Sequence, residues 1–155
     1  MLVYRLYKST YIAEPLSAEG SRRAGGRWNP KGYPILYASA TPELALLEVV
    51  AHLNPSFISR FYLLVLDIPQ PERIISVSDL PANWRNDDQY EIMQNHLSDW
   101  LKQPETLTVA VPSAIVVRSV NYLIHSNHSQ FGELVKIIEN EPFEIAGRLV
   151  KGDSL

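Results

Sequence analysis

The spacing of apolar and polar positions predicts a chain of short strands with a few helices between them. Residues 4–7 and 35–38 read as strands. Residues 60–68 hold Phe61-Tyr62-Leu63-Leu64-Val65-Leu66, apolar at every position, which in a strand means burial on both faces. A weaker strand is expected at 74–77, a final one at 143–150, and β-branched runs at 107–111 and 114–117, interrupted by Pro112-Ser113. Tyr90, Met93, Leu97 and Trp100 fall at helical spacing over 87–101, and 132–138 reads as a shorter helix. Another helix has a marked start: Thr41 as cap, Pro42 in the first turn, and Glu43 beside the positive end of the dipole. It should run to His52 or Leu53 and stop before Asn54-Pro55, because the residue preceding proline disfavours the α conformation. Residues 14–33 show no period and read as one long loop, a feature that is usually functional or disordered. Strands outnumber helices without alternating regularly with them, so the fold class is α+β, in one domain spanning 1–155.

Composition narrows the classes. With 155 residues, 46% hydrophobic and 20% charged, the chain can bury a core and is not of the disordered type. There is no cysteine, which removes disulfides, a thiolate nucleophile and a cysteine–zinc site. The N-terminal residues lack a signal-peptide layout, and no apolar run approaches the roughly 20 residues that span a bilayer. A cytoplasmic protein without a membrane partner is therefore expected. A net charge of −3 argues against direct nucleic-acid binding, which is built from clustered Lys and Arg.

Three places stand out against this background. Glu48 is the one carboxylate in Leu44-Ala45-Leu46-Leu47-Glu48-Val49-Val50-Ala51, a stretch apolar all round and so expected to be buried. A buried carboxylate needs a partner or a raised pKa. It reads either as a core ion pair or backbone-bonded carboxylate, or as a charge held for a cationic transition state. In Gly25-Gly26-Arg27-Trp28-Asn29-Pro30-Lys31-Gly32, glycines permit close approach of a ligand and Arg27 can grip a phosphate in bidentate fashion. Arg22, Arg23 and Lys31 add to the local charge, so the loop is either an anion site or a solvated basic turn. Ser113, between Pro112 and an apolar run, is either turn chemistry or a site residue. Tyr4, Tyr7, Trp28 and Tyr37 could stack on a ring or simply pack, with Tyr37 favoured for stacking because its strand leads into the Glu48 helix. His125 and His128 sit in an apparent loop without metal-ligand spacing, and no metal is assigned.

Four of these stretches together resemble the RES domain family: Gly-Gly-Arg27-Trp28-Asn29-Pro30, Tyr37-Ala38-Ser39, Ala45-Leu46-Leu47-Glu48-Val49 and Val111-Pro112-Ser113-Ala114-Ile115-Val116. The family is named for an arginine, a glutamate and a serine, which Arg27, Glu48 and Ser113 match in order, with spacings of 21 and 65 residues. The likeness extends from Tyr4-Arg5-Leu6 to Gly147-Arg148-Leu149. Two positions depart from the family pattern: Asn121-Tyr122-Leu123 is not followed by Asn-Pro-x-His-Pro, and Ala146 stands where an Asp is common. The resemblance implies a mixed, mainly antiparallel β core similar to that of ADP-ribosyltransferase toxins, flanked by a few helices. It implies a bacterial toxin that depletes NAD as its substrate, with no bound cofactor, by phosphorolysis with inorganic phosphate as co-substrate or by hydrolysis. An Xre-type antitoxin is the implied partner, with a homodimer inside the toxin–antitoxin complex.

Under that reading Glu48, Arg27 and Ser113 are the catalytic residues. Arg5, Arg27, Trp28, Asn29, Tyr37 and Ser113 bind NAD. Two rivals remain: transfer of ADP-ribose onto a protein, and a non-catalytic module that docks an antitoxin, in which Glu48 would be a core ion pair.

Overall fold

A computed structural model describes residues 1–54 and 60–150. Pro55, expected as the helix stop, and residues 151–155 lie outside the described residues. The strands are β1 (Leu2–Lys8), β2 (Ile35–Ser39), β3 (Phe61–Asp67), β4 (Arg73–Ile74), β5 (Thr108–Pro112), β6 (Val120–His125) and β7 (Lys136–Phe143). The helices are α1 (Glu19–Ala24), α2 (Pro42–His52), α3 (Tyr90–His96), α4 (Ser98–Lys102) and α5 (Phe131–Leu134). The seven strands among the described residues form one sheet in the order β4-β5-β6-β2-β1-β3-β7. Every pairing is antiparallel except β4 with β5, which gives the mixed, mainly antiparallel core and the α+β class expected from the sequence.

Side chains alternate between the two faces, and the buried clusters follow that alternation. On one face Val3, Leu36, Ala38, Leu64, Leu66, Ala110 and Ile124 pack together. The other face carries two clusters. Trp28, Ile35, Trp84, Met93, Trp100, Val109, Val111 and Leu123 form one. Leu6, Ala45, Phe61, Leu63 and Val65 form the second, beneath α2. β3 therefore buries both of its sides, as its unbroken apolar run requires.

Residues 114–117 are not a strand: they belong to the turn joining β5 to β6, closed by hydrogen bonds from the Ser113 N–H to the Ser119 carbonyl and from the Ser119 N–H to the Val116 carbonyl. The strand that pairs with β5 is β6, whose polar Asn121 and His125 hide its period. The last strand is 136–143, while Gly147–Leu149 makes a 3-10 turn. β7 tolerates Pro142 because it lies at the sheet edge, and its Lys and Glu side chains discourage pairing with another chain. The helix expected over 87–101 breaks at Leu97 into α3 and α4, although Met93, Leu97 and Trp100 are buried together as their spacing indicates. The loop at 14–33 contains α1, and the helix expected at 132–138 is only α5.

Candidate functional site

Helix α2 starts as its sequence dictates, with the Thr41 hydroxyl accepting from the Leu44 N–H at 3.1 Å and Pro42 in the first turn. It packs over β1 and β2 through Leu44 and Ala45. The helix is not buried all round, since Leu47 remains 42% exposed. Glu48 lies four residues after Leu44 and three after Ala45, so it shares their sheetward face and is half-buried. Its Oε1 accepts from the Ser113 hydroxyl at 2.8 Å and from the Asn121 Nδ2 at 2.7 Å. Among the described residues, Oε2 accepts no hydrogen bond. The partners of Glu48 are neutral, so it is not the core ion pair that one reading of the sequence allowed.

Ser113 is fully buried, and its Oγ also accepts from the Ile115 and Val116 N–H groups, both at 3.1 Å. The hydroxyl thus folds the turn and aims its hydrogen at Glu48. Asn121 is steadied in turn by the Ser39 hydroxyl, which donates to its Oδ1 at 2.7 Å, and Ser39 pairs with Asn121 across the β2–β6 ladder. Nothing in the local sequence marks Ser39 and Asn121 as partners of Glu48, although Ser39 sits inside one of the stretches that resemble the family and Asn121 inside the Asn-Tyr-Leu stretch compared with it.

The second constellation surrounds Arg27. Gly25 ends α1 with φ of 71°, a conformation that glycine adopts without strain. A Cβ on Gly26 would come within 3.0 Å of the Tyr37 hydroxyl and 3.3 Å of the Asn29 Oδ1, so here glycine admits a neighbouring side chain. Tyr37 donates its hydroxyl hydrogen to Asn29 Oδ1. Asn29 Nδ2 is engaged with the carbonyls of Ser21, Pro30 and Tyr33, and the side chain is fully buried. Trp28 is buried with its ring 6.4 Å from that of Trp84. Trp28, by its burial against Trp84, and Asn29, by its hydrogen bonds, hold the loop in this conformation. Tyr37 keeps a half-buried ring, and burial pushes its phenol well above the usual range, so the hydroxyl stays protonated.

Arg27 itself donates from Nη1 to the Trp84 carbonyl at 2.9 Å, meets Asp87 Oδ1 at 3.5 Å from Nη2, and lies 4.8 Å over the Tyr90 ring. Arg22 and Arg23 both pair with Glu19 along α1, on the exposed side of the helix. Arg5 occupies the opening between β1 and β2, which pair only at Tyr4 with Ser39, whereas β1 pairs with β3 all the way from Leu2 to Lys8. Its Nη1 donates to the Tyr37 carbonyl at 2.9 Å, while its Nε is buried without a partner. Desolvation lowers the guanidinium pKa to about 10, partly offset by Tyr7, and it remains charged at neutral pH.

β2 connects the two constellations. Tyr37 and Ser39 are two residues apart on the same face, roughly 6–7 Å along the strand. The Arg27 loop and the Glu48 carboxylate thus open onto one side of the sheet, with neutral hydrogen-bonding groups between them. Neither a recess of about 530 Å³ beside Tyr33 and Gln94 nor one of about 100 Å³ beside Thr108 and His128 is lined by Glu48. His125 is not the exposed loop residue it resembles in sequence: it closes β6, is 1% exposed, and bonds the Leu101 carbonyl.

The family model of the RES domain matches residues 2–146. A protein named Toxin Res from Photorhabdus laumondii is 31% identical over 153 residues, 97% of this chain and 98% of its own length. A Prs ADP-ribosylating toxin from a Sphingobium species is 33% identical over 124 residues, 77% of each chain. The crystal structure of the M. tuberculosis MbcT–MbcA toxin–antitoxin complex contains a chain of the same fold, with a TM-score of 0.70 at 18% identity, covering 96% of this chain and 86% of that one. The chain belongs to the RES domain family.

Proposed function

We propose that this chain is a toxin that destroys NAD by cleaving the bond between nicotinamide and ribose, by phosphorolysis or hydrolysis. The observation that carries the proposal is the state of Glu48: Oε1 is fixed by Ser113 and Asn121, and Oε2 is unengaged among the described residues. When the C1′–N bond breaks, its electron pair leaves with nicotinamide and positive charge builds on the ribose. A preoriented carboxylate beside that charge stabilises the transition state without needing a proton. The cation is then captured by an oxygen of phosphate, or by the oxygen of water, which releases one proton to solvent. Arg27 holds the pyrophosphate, for which its fork of donors is suited. Ser113 and Asn121 act through Glu48 by setting its orientation, and Tyr37 contributes an apolar wall. The names of the relatives support the toxin reading, and a protein antitoxin of the Xre type is the partner proposed with it.

A second reading is transfer of ADP-ribose to a protein, favoured by the Sphingobium relative and its printed name. The same carboxylate serves both, because only the capturing nucleophile differs. Incubation of the purified chain with NAD, with and without inorganic phosphate, and chromatography of the products separates the cases. Nicotinamide release that requires phosphate establishes phosphorolysis, and release without it establishes hydrolysis. Release only when an acceptor protein gains the mass of ADP-ribose establishes transfer. No loss of NAD in any tube overturns the proposal.

A further inference from the structure

Trp84 is a buried pin in an otherwise exposed stretch. It is 3% exposed, its ring tilts against Trp28, and its backbone N–H donates to the Pro81 carbonyl at 3.1 Å. Its own carbonyl accepts from Arg27 Nη1. The next residue, Arg85, reaches the other half of the site. Its Nε donates to the Ala114 carbonyl at 2.7 Å, and its Nη2 lies 3.5 Å from the Ile115 carbonyl. Those carbonyls belong to the turn whose Ile115 and Val116 amides donate to Ser113 Oγ, and that hydroxyl in turn donates to Glu48. Two consecutive residues thereby touch Arg27 on one side and the support of Glu48 on the other.

We propose that Trp84-Arg85 is a strap joining the two halves of the site, and that Arg85 is a positioning residue which holds the Glu48 carboxylate by fixing the 113–116 turn. The proposal rests on Glu48 being the working carboxylate. Nε and Nη2 form one rigid edge of the guanidinium and can span adjacent carbonyls, which the single ammonium of lysine cannot do in the same way. Among the described residues no carboxylate pairs with Arg85, so its engagement with the turn is not a by-product of an ion pair. Arg85 is exposed, so its removal relaxes the turn without emptying the core.

The test compares Arg85→Ala and Arg85→Lys with the wild-type chain by amide hydrogen exchange, by the NMR shift of the Glu48 carboxyl carbon, and by NAD turnover. In Arg85→Ala the Ile115 and Val116 amides should exchange about tenfold faster and kcat should fall about tenfold, as expected for loss of one charge-assisted hydrogen bond. KM for NAD should stay within about twofold, because the effect is on orientation and not on ground-state binding. Arg85→Lys should not restore either quantity. In a Ser113→Ala background, adding Arg85→Ala should lower kcat by less than about twofold, since residues acting through one contact are not additive. Unchanged exchange with an unchanged Glu48 shift overturns the strap. So does a full tenfold loss in the Ser113→Ala background, which would mean that Arg85 acts elsewhere. If the wild-type chain does not consume NAD, the functional reading fails, while the exchange rates and the Glu48 shift still decide whether Arg85 holds the turn.

Discussion

Glu48 and Ser113, 65 residues apart in the chain, meet in a 2.8 Å hydrogen bond donated by the serine. The bond joins a helix lying on the sheet to the turn at the end of β5. It orients a carboxylate while leaving its charge unneutralised, because its two partners, Ser113 and Asn121, are both neutral.

Glu48→Gln keeps an oxygen for Ser113 and Asn121 and removes the charge. Turnover of NAD should fall about 10²- to 10³-fold, the loss typical of one preorganised electrostatic contact, with KM within about threefold. Thermal melting should show a folded protein of nearly wild-type stability. Full turnover in this variant would remove Glu48 from the reaction.

Asn121 tests orientation separately from charge. Asn121→Leu deletes the 2.7 Å bond to Oε1 and strands the Ser39 hydroxyl. Stability should drop by about 1–3 kcal/mol for the unsatisfied buried group. Ser39→Ala combined with Asn121→Leu should recover part of that stability and none of the lost turnover. Melting curves and kcat measured on the same samples distinguish the two effects.

Arg27 is stacked on Tyr90 and bonded to the Trp84 carbonyl, so it is presented before any ligand arrives. Arg27→Ala should raise KM for NAD by about 10- to 100-fold, the equivalent of about 1.5–3 kcal/mol. Arg27→Lys should recover little, since a lysine offers neither the planar fork nor the stacked geometry. Steady-state kinetics over a wide NAD range give the answer; an unchanged KM would mean that this arginine grips no phosphate.

The parts of this arrangement that could be read from sequence are those governed by neighbours in the chain. The cap at Thr41, Pro42 and Glu43 announced α2, and that helix fixes where Glu48 points. Ser113 was visible as a break between apolar runs, but not as the residue whose hydroxyl builds the turn. β6 was missed because Asn121 and His125 interrupt its apolar pattern, and their reasons are tertiary: one serves Glu48, the other packs on Trp100. The setting of Arg27 depends on Trp84, 57 residues away, in a stretch with no period of its own. Local patterns carry no information about such distant partners. The family resemblance picked out Arg27, Glu48 and Ser113 without indicating that two of them are bonded to each other.

His125 gives a prediction on stability that is independent of activity. Its Nε2 lies 2.9 Å from the Leu101 carbonyl, its Nδ1 accepts from the Asn127 N–H at 3.2 Å, and its ring stands edge-on to Trp100 at 5.0 Å. These partners require the neutral ring with its hydrogen on Nε2; a second proton on Nδ1 would face an N–H donor. Burial holds the imidazole below its ordinary pKa of 6.5, the Leu101 bond opposes this in part, and His128 nearby adds to the lowering. The unfolded chain therefore binds a proton more readily than the native one, and stability must rise with pH through this window. The contribution is complete above about pH 6.5 and is lost as pH falls through the lowered native pKa. Melting temperatures measured from about pH 7.5 down to about pH 5 should fall more steeply for the wild-type chain than for His125→Gln, which cannot titrate. Parallel curves for the two proteins would show that His125 is not the group responsible.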